Sequence, residues 1–230
     1  MKKLISTVCA ALLSACASQP NDKPQATAAD LAVNSGVQEL RQRNLGKAVA
    51  DFGQAIELCQ PQYTMGDKKV FAARSQKESL FYLLNANADK QSAVVIAITC
   101  ADALYLKGYA SLDLGQIDVA EEYVRRAIDL APMNALYLGE LGHIQQTSRN
   151  WQLAMDSFAL AEKAAELSPD GVKNAELCRA KRGIGYSLTE LGRLDEAEAK
   201  YRECLHLDGA DPKSLQELQY IDALRKNKVQ

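Results

Sequence analysis

The chain has little of what enzymes most often use. Its 230 residues include two histidines, one tryptophan, six prolines and four phenylalanines. The histidines, His143 and His206, stand far apart, and no CxxC, HExxH, GxSxG or phosphate-loop pattern lies near either. No nucleophile with its base, and no zinc-ligand spacing, can be assembled from that inventory. Catalysis, a cofactor and a metal are therefore not expected. The charge is also nearly balanced, 27 basic residues against 29 acidic, so there is no broad basic surface and nucleic acid is not expected as a partner. Long apolar runs are missing too: the stretch from Leu4 to Leu13 falls well short of the ~20 residues that a spanning helix needs. What remains abundant is Ala and Leu, which with few β-branched runs favours helix over sheet.

Lys2 and Lys3, followed by that short apolar stretch and then by small residues, have the layout of a secretory signal. Leu13-Ser14-Ala15-Cys16 closes it and resembles the lipobox of bacterial lipoproteins. The resemblance implies cleavage after Ala15 (signal peptide 1–15) and acylation of Cys16, which becomes the anchored N-terminus of the mature chain. Several acyl chains suffice to hold a soluble domain at a membrane. Ala17 after the cysteine, rather than aspartate, is similar to the pattern of lipoproteins delivered to the outer membrane, facing the periplasm. An ordinary signal peptide leaving Cys16 free is the alternative. Residues 16–27 are polar, carry two prolines and read as a flexible tether.

Beyond the tether a fixed spacing recurs. A glycine is followed twelve places later by alanine at Gly36 and Ala48, Gly108 and Ala120, Gly142 and Ala154, and Gly185 and Ala197. Four residues past each alanine comes a bulkier side chain (Phe52, Val124, Phe158, Tyr201), and three further on a small one (Ala55, Ala127, Ala161, Cys204). Those offsets share one helical face, and the glycine falls on a preceding helix beyond a short turn. Each unit is an antiparallel helix pair whose open face must be covered by the next pair, which builds a solenoid.

The spacing resembles the tetratricopeptide repeat. Residues 101–134 carry Leu104, Gly108, Leu112, Gly115, Ala120, Val124, Ala127, Leu130 and Pro132 where that 34-residue pattern wants them. The copy at 135–168 has Leu138, Leu141, Gly142, Trp151, Ala154, Phe158 and Ala161, and a third begins near Cys178 and continues through Leu191-Gly192-Arg193-Leu194-Asp195-Glu196-Ala197. Its start is displaced, which we read as the preceding second helix running on through Lys163-Ala164-Ala165-Glu166. Lys181, Ser111 and Gln145 replace bulky consensus residues. The expected fold is all-α: a degenerate repeat at 28–62, a helical insertion at 63–99, three repeats over 100–211 and a capping helix with tail at 212–230. Within the insertion, 68–84 and 92–114 both have helical composition, the second read as a lengthened first helix of the next repeat. In the cap, Leu215, Leu218, Ile221 and Leu224 recur at helical spacing.

Cys59, Cys100, Cys178 and Cys204 remain in an exported chain, an even number that invites pairing. Two turns back from Gly185 and two turns forward from Ala197 place Cys178 level with Cys204. Excising the insertion brings Cys59 beside Cys100 at a repeat junction. The expected disulfides are Cys59 to Cys100 and Cys178 to Cys204, with buried free thiols as the alternative.

First helices of stacked repeats line a groove. The glycine register turns Asp102, Tyr105, Tyr109, Leu112, Leu136, His143, Gln146, Arg179, Arg182 and Tyr186 toward it, a tyrosine and arginine composition common at interface hot spots. The chain's own inserted or capping helix could also fill that groove. Acidic pairs such as Glu121-Glu122 sit at helix N-termini, where carboxylates favour the dipole. The expected function is a membrane-anchored, non-catalytic scaffold binding envelope proteins, with pilus or secretion assembly as the specific expectation from the lipoprotein resemblance. A module for peptides or peptidoglycan fragments is the alternative.

Overall fold

The computed structural model describes residues 25–227, so Cys16 and the signal segment lie outside the described residues. Four helical hairpins follow in order: α1 (Ala28–Arg41) with α2 (Leu45–Tyr63), α4 (Thr99–Asp113) with α5 (Ile117–Leu130), α6 (Ala135–Thr147) with α7 (Trp151–Ala164), and α8 (Asp170–Glu190) with α9 (Leu194–Leu207). Helix α10 (Pro212–Asn227) closes the array, and α3 (Gln76–Ala88) belongs to the insertion. This is a tetratricopeptide-type solenoid.

The small residues act where the spacing put them, though through a different neighbour. Ala48, Ala120, Ala154 and Ala197 are fully buried. The space that each glycine leaves, however, is taken by the bulky residue four places after the alanine. A methyl group on Gly36 would lie 2.5 Å from the Phe52 ring, on Gly108 2.7 Å from Val124, on Gly142 2.8 Å from Phe158 and on Gly185 2.9 Å from Tyr201. The contact holding each hairpin together is therefore a large side chain seated on glycine. At Gly108 the backbones also approach, since that methyl would meet the Ala120 carbonyl oxygen at 2.9 Å.

Seven residues after each of these glycines, the turn between the paired helices uses a left-handed residue. Gly115 and Gly192 supply it in two turns, whereas Arg43 (φ 63°) and Arg149 (φ 58°) occupy the same place in the other two. Only glycine adopts that conformation without steric cost. In each turn the next residue's N–H then donates back five residues, as Asn44 does to the Glu39 carbonyl and Asn150 to that of Gln145.

Three boundaries differ from expectation. The insertion is a β-α-β unit, with strand β1 (Lys69–Ala73) pairing in parallel with β2 (Ala93–Ala97), Lys69 opposite Ala93 through Ala73 opposite Ala97. Val94-Val95-Ile96 is a β-branched run better suited to a strand, and α3 supplies the crossover that parallel pairing demands. Helix α4 accordingly starts at Thr99 rather than near 92, and α3 starts after Ser75, whose hydroxyl accepts from the Glu78 N–H. Near 165 the chain does not continue α7. It breaks through a short 3₁₀ turn (Ala165–Leu167) and an extended Ser168 before Pro169, as expected for a residue preceding proline, and the extra length goes into the 21-residue α8. In α10, Ile221 is fully buried and Leu218 and Leu224 pack beside it, but Leu215 faces outward.

Cys59 on α2 is bonded to Cys100 at the start of α4, with Cα atoms 5.7 Å apart, and Cys178 on α8 to Cys204 on α9, 4.7 Å apart. The first bridge closes the two ends of the insertion against each other.

Candidate functional site

A cleft of about 640 Å³ runs between the first helices of the hairpins and α10. Six of the ten groove residues line it: Tyr109 from α4, His143 and Gln146 from α6, and Arg179, Arg182 and Tyr186 from α8. Helix register accounts for this, because positions three and four apart on one helix present to the same side. Tyr109 and Tyr186 are 37% and 40% exposed, the largest apolar faces turned to the opening. Tyr186 is braced edge-on by Trp151, ring centroids 6.0 Å apart.

The floor is more polar than the sequence suggested, with Glu140 Oε1 the one buried oxygen there left without a hydrogen-bond partner among the described residues. Arg179 donates from Nη2 to Oε2 of fully buried Glu140 at 2.5 Å, and Arg182 donates from Nη1 to Asp211 Oδ1 at 2.7 Å. Both guanidinium groups already hold carboxylates of this chain. They fix the walls rather than wait for an acidic ligand. Gln146 Nε2 donates to the Gly183 carbonyl at 2.8 Å and to Ser187 Oγ at 2.9 Å, locking α6 to α8. Phe158 reaches the cleft because it lies between two glycines, Gly142 of its own hairpin and Gly183 of the next. Helix α10 adds Lys213 and Glu217, and burial raises the Glu217 carboxyl above its ordinary value. Glu140 could have been found three residues before His143 on the same face, whereas nothing local announces that α10 folds back over this wall.

The other four expected residues do not line the cleft. Asp102 is half-buried and accepts a hydrogen bond from Tyr137 Oη at 2.5 Å; desolvation raises its pKa, with the Tyr137 bond opposing. Tyr105 is 8% exposed and stacks on Tyr137 at 5.0 Å. Leu136 packs into the same core, and Leu112 against Ala120, Val124, Leu141 and Ile144. The first helices bury these faces against each other, since neighbouring first helices pack closely at this end.

The insertion sits against that end. Arg74, just after β1, donates from Nε to Glu78 Oε1 at 2.9 Å and from Nη1 to Glu176 Oε1 on α8 at 2.6 Å. The Arg74 N–H donates to Glu78 Oε2 at 2.7 Å, and Tyr82 Oη accepts the Met133 N–H at 3.1 Å. Lys77 reaches the Glu166 carbonyl. The insertion thus ties the second hairpin's approach to the fourth hairpin, and the open part of the groove is the half bounded by α10.

For chemistry the arrangement offers little. His143 and His206 are both exposed and sit on different hairpins. One group of metal-ligating residue types comes together, Cys178, Cys204 and Asp211, but its sulfurs are bonded to each other and Asp211 holds Arg182 and the Ser214 N–H. Aromatic walls over a floor whose arginines are paired suit recognition of a polypeptide surface.

Residues 101–134 and 183–211 match the tetratricopeptide repeat family model. Among solved structures, the chain is similar to Pseudomonas aeruginosa pilF (TM-score 0.61, 15% identity, covering 87% of this chain and 70% of that one). It is also similar to MamA residues 41 to the end from Desulfovibrio magneticus RS-1 (TM-score 0.55, 16% identity, covering 86% and 85%). At these identities the likeness is one of fold. No curated protein matches the chain in sequence. The repeat class defined by these matches binds protein partners in general, and its members are typically non-catalytic scaffolds.

Replacing Arg74 by alanine leaves the fully buried Glu78 with a backbone N–H but no cation, and removes the tie to Glu176. Loss of one partner from a buried ion pair costs about 3–5 kcal/mol, so the urea midpoint should drop sharply. A midpoint within experimental error of the parent contradicts this role.

Proposed function

We propose that this protein is a lipid-anchored, periplasm-facing scaffold at the outer membrane that holds envelope proteins in its cleft. The observation that carries the reading is the pair Tyr109 and Tyr186, half-exposed over a floor whose two arginines are already paired with carboxylates of this chain. Such a cleft offers flat apolar area with polar tips and asks little ordering of its own side chains on binding. An extended segment or a helix of a partner suits it better than a small charged metabolite, since both arginines are taken. Two disulfides fit an oxidising compartment, which supports export. Within the envelope, pilus or secretion assembly is the specific proposal, resting on the lipoprotein resemblance and on the fold shared with P. aeruginosa pilF. A peptide or peptidoglycan-fragment module using the same aromatic walls is the second reading, favoured by a cleft volume of about 640 Å³, within the range of ligand sites.

Crosslinking in intact cells should join the cleft face to an envelope protein. Tyr109→Ala with Tyr186→Ala should weaken that capture by about tenfold or more, the scale of losing hot-spot aromatics, with the urea midpoint little changed. Unchanged capture removes the cleft from the function. For the anchor, Cys16→Ser should move the protein from the membrane fraction to the soluble periplasmic fraction; continued sedimentation with membranes contradicts acylation.

A further inference from the structure

The inserted unit carries a helix with leucines on its outer side. Helix α3 turns Glu78, Tyr82 and Ala86 inward, all fully or nearly buried, and leaves Leu80, Leu83 and Leu84 outside at 58%, 41% and 59% exposure. Positions 80, 83 and 84 form one ridge, with exposed Lys77 three residues before it on the same side. Nothing in this chain covers that ridge among the described residues. A run of outward leucines disfavours solution and calls for an apolar surface.

Charge narrows the choice of surface. Residues 64–92 hold five basic side chains (Lys68, Lys69, Arg74, Lys77, Lys90) against three acidic ones (Asp67, Glu78, Asp89), while the rest of the chain has 22 basic and 26 acidic. Arg74 and Glu78 are paired internally. Lys77 is held by the Glu166 carbonyl, so Lys68, Lys69 and Lys90 stand exposed against Asp67 and Asp89 on an otherwise acidic protein. Exposed leucines on a unit with an excess of lysine suit an anionic headgroup layer, the apolar side chains entering the acyl boundary while free ammonium groups stay at the phosphates.

Position agrees. Thr99 Oγ1, just past β2, donates to Asp30 Oδ1 in the first turn of α1 at 2.6 Å, so the chain preceding Thr27 departs beside the insertion. Cys16 lies eleven residues earlier, a reach of at most roughly 36–40 Å when extended. We infer that the Leu80, Leu83 and Leu84 ridge lies on the surface of an anionic bilayer, orienting the solenoid on the membrane. The inference rests on the acyl anchor proposed above, which supplies tethering while the ridge supplies orientation. No helix among the described residues is long and apolar enough to cross a membrane, so this contact is one of surface lying.

The test places a fluorophore on the ridge. Leu80→Trp and, as a control on the equally exposed α7 position, Leu160→Trp are each made with Trp151→Phe in the acylated full chain. Each protein is bound to vesicles of phosphatidylcholine with or without phosphatidylglycerol, and quenching by lipids brominated on the acyl chain is read. The expected result is quenching about twofold or more stronger at position 80 than at 160, falling when phosphatidylglycerol is left out. Vesicle-bound protein with neither site quenched leaves the anchor standing and overturns the ridge, as does a dimer by sedimentation with position 80 shielded. Undiminished quenching in phosphatidylcholine alone overturns the anionic preference, and failure to associate with any vesicle overturns both anchor and ridge.

Discussion

Each hairpin depends on one contact, a bulky side chain from the second helix seated on a glycine of the first. The four instances, Phe52 on Gly36, Val124 on Gly108, Phe158 on Gly142 and Tyr201 on Gly185, repeat one geometry with different side chains. Their spacing fixes the axial register of the helices. Register in turn decides which residues face the next hairpin. Thus Phe158 also meets Gly183, and Met155, Ile184, Leu188 and Ile221 complete a shared core between the third hairpin, the fourth and the cap. Neither hairpin could bury those faces alone, which is why the array behaves as a stack of interfaces.

The same register explains how far the fold and site could be read in advance. The pairing of helices within each hairpin and the partners of all four internal cysteines follow from the repeat period, because a helix converts spacing into direction without outside help. The cleft residues Tyr109, His143, Gln146, Arg179, Arg182 and Tyr186 were legible for that reason. Asp102 and Tyr105 share that helical face but sit where neighbouring first helices close on each other, so their burial depends on crossing angle rather than period. The insertion was misread because Lys69 to Ala73 is short and alanine-rich, and its strand character comes from pairing with Val94, Val95 and Ile96 far along the chain. Ion partners such as Glu176 for Arg74, 102 residues away, leave no local mark either.

Electrostatics sets the limits of the binding surface. Arg74, Arg179 and Arg182 are each committed to carboxylates of this chain, and those pairs hold the insertion, the first-helix wall and α10 in place around the cleft. Buried pairs of this kind contribute little net stability against apolar replacements but penalise any arrangement that separates them. The consequence is a recess with aromatic walls, bounded on one side by the cap. Under the function proposed above, partner choice follows from complementarity to Tyr109 and Tyr186 more than from the arginines, which are already paired.

The central claim is the seating of large side chains on glycine, and equilibrium urea denaturation of a glycine-to-alanine series tests it most directly. Gly36→Ala, Gly108→Ala, Gly142→Ala and Gly185→Ala should each lose about 1–3 kcal/mol through overpacking, Gly108→Ala also being opposed by the Ala120 carbonyl. Gly46→Ala, whose added methyl meets nothing within 4 Å, should be neutral or gain up to about 1 kcal/mol from reduced unfolded-state freedom. If the four variants match Gly46→Ala in stability, the glycines are not packed under those side chains and the account of the stack is wrong.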